Sequence, residues 1–262
     1  MHDYQELFSA VEKAVIARGL PNMPRDEIIR ELDRFKEFEN RKLSDEQYYW
    51  ILVYVVFYSG FKAAIVTDKL GIIKTHFPDI STVATYLSND EARILSDQRM
   101  IKNKLKVNAC IQNAMTIQKL SNKFGGFSRY LESFNPMHSD EGLSKLRSDL
   151  QRRFIGIGPI TVLHFMTDIG LPVLKPDRAL CRVFYRLGLI ENEDSTEDAI
   201  YVGRRISKAI GQPIRYVDRV FVAHGQVESP ELGILRGVCL KNHPACDECA
   251  LLRFCQFEGS SR

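Results

Sequence analysis

Apolar residues recur at spacings of three and four along almost the whole of this chain. Ile28, Leu32 and Phe35, for example, fall on one face of a helix, and charged residues cover the other face. No convincing run shows the alternation of a strand, and no repeat of fixed period is present. Short connections containing Gly, Pro, Asn or Asp separate the periodic segments. The pattern therefore predicts an all-α fold.

The most apolar segment is YYWILVYVVFYSGF at residues 48–61, which carries 14 uncharged residues. That is shorter than the ~20 residues that cross a bilayer, so we expect a buried core helix and no membrane partner. Ser44 and Gln47 form a capping-box pattern that starts this helix at about residue 45, and Gly60 interrupts it. Further helices are predicted at 63–71, 79–87, 90–96, 101–120, 127–134, 142–154, 159–169, 178–187 and 196–210.

Composition indicates a soluble globular protein of one large or two small domains. The 262 residues are 45% hydrophobic and 26% charged, which excludes a disordered or low-complexity chain. Residues 1–40 carry charges throughout, so the sequence shows no apolar signal-peptide core. We expect an intracellular protein, cytoplasmic or nucleoid-associated if prokaryotic, in which thiols stay reduced.

Charge is distributed unevenly behind a net value of +3. The segment from Arg93 to Lys123 holds seven basic residues and one acid, whereas residues 1–47 hold eight basic and eleven acidic ones. A second basic group precedes a glycine-rich turn and consists of Lys145, Arg147, Arg152 and Arg153. These groups indicate either solvated helix faces or a nucleic-acid surface.

Four of the six cysteines lie in the last 24 residues, in the pattern Cys239-x6-Cys246-x2-Cys249-x5-Cys255. Structural zinc sites generally use two short-spaced ligand pairs separated by a longer arm. Cubane iron–sulfur clusters are held by four cysteines in short loops of this kind. The spacing favours a 4Fe-4S cluster, with zinc as the alternative. The other two, Cys110 and Cys181, are expected to be small core residues.

Residues 154–161, FIGIGPIT, lie between two predicted helices. Gly156 and Gly158 permit a tight turn and a close approach of the backbone to a ligand. Pro159 suits the first helical position, so that free N–H groups at the helix N-terminus can bind a phosphate oxygen. This arrangement is typical of a helix-hairpin-helix, which grips a DNA backbone without reading sequence. An ordinary connection between helices is the alternative.

A second loop, GLPVLKPD at residues 170–177, ends at Asp177 just before a predicted helix. Aspartate is among the best N-cap residues, so capping alone would account for it. The order of hairpin, loop, aspartate and cysteines resembles that of the helix-hairpin-helix Gly/Pro-Asp DNA glycosylases, in particular the iron–sulfur branch typified by endonuclease III. The cysteine spacing is similar to that family's cluster loop, and VLKPDRALCRVFYRLGL resembles its catalytic loop and following helix. The resemblance covers roughly residues 45–257.

A fainter similarity to 3-methyladenine DNA glycosylase I runs through YYWILVYVVFYSGFKAAIV and MIKNKLKVNACIQNA. That family normally carries a zinc site, and its base-pocket glutamate falls near Val55 here, so its substrate does not follow from the similarity.

The resemblance implies two helical lobes with a DNA cleft between them. A barrel domain with the hairpin would span 42–172, and residues 1–41 and 173–262 would together form the cluster domain. The implied partner is double-stranded DNA containing a damaged or modified base, bound by a monomer in base excision repair. The implied hairpin contacts to DNA come from Gly156, Gly158, Ile160 and Thr161.

The resemblance also assigns the catalytic role to Asp177, which would stabilise positive charge on the sugar and assist attack by water. In bifunctional members a lysine follows the hairpin glycines and forms a Schiff base. Ile160 stands there in this chain, so we expect a monofunctional glycosylase without lyase activity. The first expected substrate is an alkylated purine such as 3-methyladenine, and the next a mismatched or modified pyrimidine.

Excision of a base requires a pocket for the flipped base and a side chain that fills the gap. Phe61 falls where the family's wedge residue lies, and Tyr49, Trp50 and Tyr58 could line the base pocket. Core packing is the alternative for all four. Lys102 and Asn103 suit contacts to phosphate, with a solvated turn as the alternative.

Two other functions stay open at the level of sequence. One is a non-catalytic iron–sulfur DNA-binding module for lesion sensing or architecture. The other is an iron–sulfur electron carrier, for which the hairpin has no use. Asp177 at the family's catalytic position favours the enzyme.

Overall fold

A computed structural model describes residues 3–37, 39 and 41–257. Within these ranges every regular element is a helix, and the single β-bridge joins Ser229 to Ile234 outside any strand. The all-α prediction is confirmed. None of the described helices combines the length and the apolar character needed to cross a membrane.

The described residues form thirteen α-helices. In chain order they are α1 (Tyr4–Gly19), α2 (Arg25–Asp33), α3 (Asp45–Tyr58), α4 (Ala63–His76), α5 (Ile80–Val83), α6 (Ser88–Ser96), α7 (Lys104–Phe124), α8 (Phe127–Glu132), α9 (Asp140–Arg153), α10 (Pro159–Asp168), α11 (Arg178–Arg186), α12 (Thr196–Ile210) and α13 (Ile214–Gly225). Three short 3-10 helices follow at Pro230–Leu232, Cys246–Glu248 and Leu252–Phe254.

Local sequence signals set several helix ends as predicted. The capping box of α3 is present, because Ser44 Oγ accepts from the Gln47 N–H at 3.2 Å and Gln47 Oε1 accepts from the Ser44 N–H at 2.8 Å. Gly60 interrupts the apolar segment with a φ of +77°. Pro159 occupies the first position of α10, and Asp177 is the N-cap of α11.

Several regions differ from the sequence predictions. Helix α1 was not predicted, and α4 continues to His76 beyond the predicted end at 71. The helix predicted at 79–87 is reduced to α5, because the chain turns through hydrogen bonds of the Thr85 N–H to Thr82 and the Tyr86 N–H to Val83. Helix α13 was not predicted either. Its sequence IRYVDRVFVAHG is rich in β-branched residues, and polar residues at buried positions break its apolar stripe.

The described residues fall into two compact units. One is contiguous, Arg41–Leu171, and contains α3 to α10. Its core is built around α3, which packs against α7 and α10. The apolar segment at 48–61 thus forms a core helix, with Leu52, Val53 and Phe57 at 0% exposure.

The other unit combines Met1–Asn40 with Pro172–Arg262, so residues near both chain ends pack together. Its centre is α13, which packs against α1, α11 and α12. Phe221 of α13 meets Phe8 at a centroid distance of 6.2 Å and Phe184 at 5.0 Å. This unit carries Asp177 and the four C-terminal cysteines.

Candidate nucleic-acid interface and cysteine site

The hairpin joins α9 to α10 and gives its two glycines different roles. Gly156 has a φ of +77°, which favours glycine, and a Cβ there would lie 3.4 Å from Cβ of Ala109. Gly158 is the N-cap of α10 with a φ of −85°, and a Cβ there would meet no atom of the described residues within 4 Å, its chain neighbours aside. The turn therefore needs Gly156 for its shape, while Gly158 leaves open the space before the first turn of α10.

A buried amide on α7 holds the hairpin in place. Asn113 is 0% exposed; its Nδ2 donates to the carbonyl of Ile155 at 2.9 Å, and its Oδ1 accepts from the N–H of Ile155 at 2.8 Å. Sequence analysis missed this residue. The signal was a single asparagine within the apolar stripe of α7, next to Ala114.

The two predicted contact residues after the glycines are at least partly accessible: Ile160 is 44% exposed and Thr161 is half-buried.

The basic residues of α9 belong to an ion network. Asp149, only 7% exposed, accepts from the hydroxyl of Tyr130 at 2.7 Å and pairs with both Arg152 and Arg153. Burial raises the pKa of Asp149. Hydrogen bonds from Arg153 and Tyr130 lower the pKa by more than burial raises it, so it lies below the ordinary value. Arg147 adds a 3.5 Å contact from Nη2 to the carbonyl of Pro159. These side chains place positive charge beside the hairpin.

A second basic surface lies at the start of α7. Asn103 is its N-cap, and its Oδ1 accepts from the N–H of Lys106 at 3.1 Å. Lys102 is exposed, and its Nζ donates to Oε1 of Gln98 at 2.9 Å. Capping accounts for the side-chain oxygen of Asn103, while the ammonium group of Lys102 is accessible to solvent.

Phe61, the candidate wedge, is half-buried over a lysine that the sequence analysis did not single out. Lys106 Nζ lies 5.4 Å from the ring centroid and donates to the carbonyls of Val56 and Ser59 at 2.5 and 2.6 Å. Burial lowers the pKa of Lys106. The cation thus caps the end of α3 and supports the ring of Phe61.

The three candidate pocket residues occupy different environments. Tyr49 is 1% exposed, and its hydroxyl donates to the carbonyl of Cys110 at 3.2 Å, which places it in the core. Trp50 is half-buried, with Lys74 Nζ 5.6 Å from its ring. Tyr58 is half-buried and shares a 2.8 Å hydrogen bond with Thr67. Val55 is 0% exposed.

In the other unit, Asp177 is half-buried at the start of α11. Its Oδ1 accepts from the N–H of Leu180 at 2.8 Å, as a helix cap. Among the described residues its Oδ2 has no hydrogen bond within the unit. One oxygen therefore fixes the orientation of the side chain, and the helix cap does not use the other.

The cysteine loop is attached to α11 by two arginines. Arg182 Nε donates to the carbonyl of Cys239 at 3.0 Å, and Arg186 Nη1 lies 3.4 Å from the sulfur of the same cysteine. Another buried side chain, His224 of α13, has its Nε2 3.7 Å from Sγ of Cys249. His224 is 3% exposed, and burial lowers its pKa to about 4.

The four thiols lie close enough to affect one another. Burial raises the pKa of Cys249 to about 11; the Leu251 backbone lowers it, and the charges of Cys239, Cys255 and Cys246 raise it. Over the described ranges, no three His, Cys, Asp or Glu side chains are arranged so as to hold a metal ion. The remaining cysteines, Cys110 and Cys181, are buried, as predicted.

Residues 36–175 match the family model of methyladenine glycosylase, which is more than half of the 262 residues. The chain belongs to the methyladenine glycosylase family. Membership confirms the expected DNA glycosylase function in base repair, and the fainter of the two sequence similarities is the one that the match bears out. The matched segment includes α3 to α10 and the hairpin. The iron–sulfur branch stays a prediction.

No curated protein matches this glycosylase. Among solved structures it is similar to the 8-oxoguanine DNA glycosylase of Methanocaldococcus jannaschii, with 19% identity over 85% of this chain and 94% of that chain and a TM-score of 0.53. The corresponding enzyme of Thermotoga maritima is 18% identical over 86% of this chain and 100% of that chain, with a TM-score of 0.52. These two similarities show a shared fold. The 3-methyladenine DNA glycosylase I of Staphylococcus aureus is 20% identical over 53% of this chain and 84% of that chain, with a TM-score of 0.44.

Proposed function

We propose that this glycosylase is monofunctional and hydrolyses the N-glycosidic bond of a damaged or modified base that is flipped out of duplex DNA. The first substrate we propose is an alkylated purine such as 3-methyladenine, followed by a mismatched or modified pyrimidine. The observation that carries the proposal is the hairpin held by Asn113, because it lies inside the family match and presents an open helix N-terminus.

The hairpin supports a role in binding the DNA backbone. The first N–H groups of a helix have no intrahelical acceptor, and the helix dipole favours an anion there. The open space at Gly158 admits a phosphate to those groups, and Arg147 lies beside them. One structure of the M. jannaschii 8-oxoguanine glycosylase/lyase contains a 15mer DNA, and its TM-score to this chain is 0.50. The shared fold supports DNA as the partner here.

Asp177 would act on the sugar of the flipped nucleotide. When the bond from C1′ to the base nitrogen breaks, its electron pair leaves with the base, and positive charge develops on the sugar. The carboxylate stabilises that charge through Oδ2, while Oδ1 keeps it oriented on α11. A water molecule then forms the new bond at C1′ and gives up its proton to solvent.

The residue after the hairpin glycines supports the proposal of hydrolysis without strand cleavage. Ile160 is exposed there and offers no amine for a Schiff base. Lys106 has a lowered pKa, but its ammonium group is bound by two carbonyls of its own unit. It therefore does not replace the missing lysine.

We further propose that Cys239, Cys246, Cys249 and Cys255 hold a 4Fe-4S cluster, with zinc as the alternative. Two observations support this fit. Arg186 directs an N–H group at Cys239, which stabilises a thiolate ligand, and Cys249 lies close enough to the other three thiols for their charges to raise its pKa.

A bound cluster would cross-link the C-terminal loop, and the hydrolysis needs no electron from it. The loop carries basic side chains that could reach a phosphate. Lys241 is exposed, Arg236 donates to the carbonyl of His243 at 3.2 Å, and Arg253 pairs with Glu6 at 2.8 Å.

A panel of duplex oligonucleotides tests the function. Each duplex carries one lesion, including 3-methyladenine, 8-oxoguanine and modified or mismatched pyrimidines, and free base is measured before and after alkali. We expect base release from an alkylated purine and strand breaks only after alkali. Binding without release from any duplex would instead support a non-catalytic module. A borohydride-trapped protein–DNA adduct would contradict the monofunctional assignment.

A further inference from the structure

Asp218 on α13 is a buried carboxylate with one unsatisfied oxygen. The residue is 1% exposed; Oδ2 accepts from Nη1 of Arg215, whereas Oδ1 has no hydrogen-bond partner among the described residues. A buried polar atom without a partner costs folding free energy. Packing alone gives no reason to keep such a group, and groups of this kind cluster at functional sites.

The start of α13 lies beside the loop that leads to Asp177. A Cβ at Gly203 would come within 2.0 Å of Cδ2 of Leu174 and 3.6 Å of Cδ1 of Ile214. Leu174 and Ile214 therefore both pack against Gly203 of α12. Their shared neighbour brings the first turn of α13 near residue 174.

The end of α13 lies beside the first turn of α11. A Cβ at Gly225 would come within 3.0 Å of the carbonyl oxygen of Ala179. The helix that carries Asp218 therefore packs against α11, whose N-cap is Asp177, and Asp218 lies one turn after the start of that helix. The two carboxylates belong to neighbouring helices of one unit.

The charges around Asp218 agree with this placement. Burial raises its pKa to about 6, the charge of Arg215 lowers it, and the charge of Asp177 raises it; Lys175 lowers it. Four other charged groups on or near α13 have partners of their own: Arg219 of the same helix pairs with Glu231, Glu12 of α1 accepts from Tyr216, Arg205 of α12 lies over the rings of Tyr4 and Tyr201, and Glu39 accepts from the N–H of Ile214.

We propose that Asp218 is a positioning residue of the active site, whose ionised carboxylate adds negative charge behind Asp177 and so stabilises the cationic sugar. This inference rests on the proposed role of Asp177. Asp218 is buried and touches no substrate, so it acts through its field alone. Since its pKa is about 6, acid removes this charge, and base release slows as the pH falls through that value.

Carboxyl carbon NMR of protein labelled at aspartate tests the coupling without any substrate. Asp218 should titrate near pH 6 in the wild type and at lower pH in Asp177→Asn, because a neighbouring negative charge is gone. Asp26→Asn is the matched control, since Asp26 is exposed and pairs with Arg30. An Asp218 pKa that is the same in Asp177→Asn as in the wild type overturns the inference, whatever the activity of the enzyme.

Single-turnover release of methylated bases from methylated duplex DNA, between about pH 5 and pH 8, tests the consequence. The wild type should lose rate below about pH 6. Asp218→Asn should lack this acid limb and react roughly tenfold more slowly at pH 8. Arg215→Gln should move the acid limb to higher pH, because Arg215 favours the ionised form of Asp218. If Asp218→Asn does not fold, Arg215→Gln alone tests the role of Asp218.

Two results separate the inference from the function on which it rests. An unchanged acid limb in Asp218→Asn, or a limb moved to lower pH in Arg215→Gln, contradicts the role of Asp218. Full activity in Asp177→Asn contradicts the proposed function instead.

Discussion

Gly156 and Gly158 lie two residues apart in the hairpin, and the same substitution separates their roles. Gly156→Ser places a side chain at a φ of +77° and should destabilise the protein by about 1–2 kcal/mol. Gly158→Ser should leave stability unchanged or raise it, because serine is a good N-cap. Its hydroxyl would accept from the N–H groups that a phosphate needs, so DNA affinity should fall about tenfold.

Urea denaturation and DNA-binding titrations of both variants measure this difference. Each variant serves as the control for the other. A Gly158→Ser protein that binds duplex DNA as tightly as the wild type would exclude the helix N-terminus of α10 as a phosphate site.

The buried Asp218 also gives the stability of the protein a pH dependence. Its folded-state pKa of about 6 lies above the ordinary 3.8, so the folded protein binds more protons than the unfolded chain between these values. This contribution is fully present below pH 3.8 and is lost as the pH rises through about 6. Asp218→Asn should remove it, so the difference in unfolding free energy between wild type and variant should change across this window. A difference that is constant with pH would show that Asp218 has an ordinary pKa.

Helix α7 holds the hairpin through one side chain. Asn113→Ala removes both hydrogen bonds to Ile155 and should cost about 2 kcal/mol of stability. It should also speed hydrogen exchange at the amide of Ile155 and weaken DNA binding. Asn108→Ala is the matched control on the same helix, since its side chain bonds to Glu91 at 3.3 Å. Equal effects of the two variants on DNA binding would show that the hydrogen bonds from Asn113 to Ile155 do not matter for binding.

The cysteine loop gives a further prediction, about the metal that it binds. Protein purified without oxygen should be brown and contain about four iron and four sulfide per chain. Cys249→Ala should lose the colour, whereas Cys110→Ala, which removes a buried thiol outside the loop, should keep it. One zinc per chain and no visible absorption would contradict the cluster and support the zinc site instead.

Over the whole molecule, the sequence predicted what local patterns determine. Ser44 with Gln47, Pro159 and Asp177 act within one turn of their own position, so their caps were readable. Asn113 bonds to a residue 42 positions away. Such partners depend on how helices pack, which no local pattern reports.

Polar residues at buried positions were harder to predict from the sequence. Lys106 bonds to carbonyls 47 and 50 positions away, and α13 was missed because Asp218 and His224 stand on its buried face. Conversely, Tyr49 lies in an apolar segment where core and pocket positions have the same sequence pattern, and only its burial separates the two.

A comparison of wild type and Asp177→Asn on one methylated duplex tests whether Asp177 drives base release. Asparagine caps a helix as well as aspartate does, so the variant should fold and bind DNA like the wild type. We expect it to release base at least about a hundredfold more slowly in a single turnover. If the folded, DNA-bound variant releases base at the wild-type rate, Asp177 is not the catalytic residue.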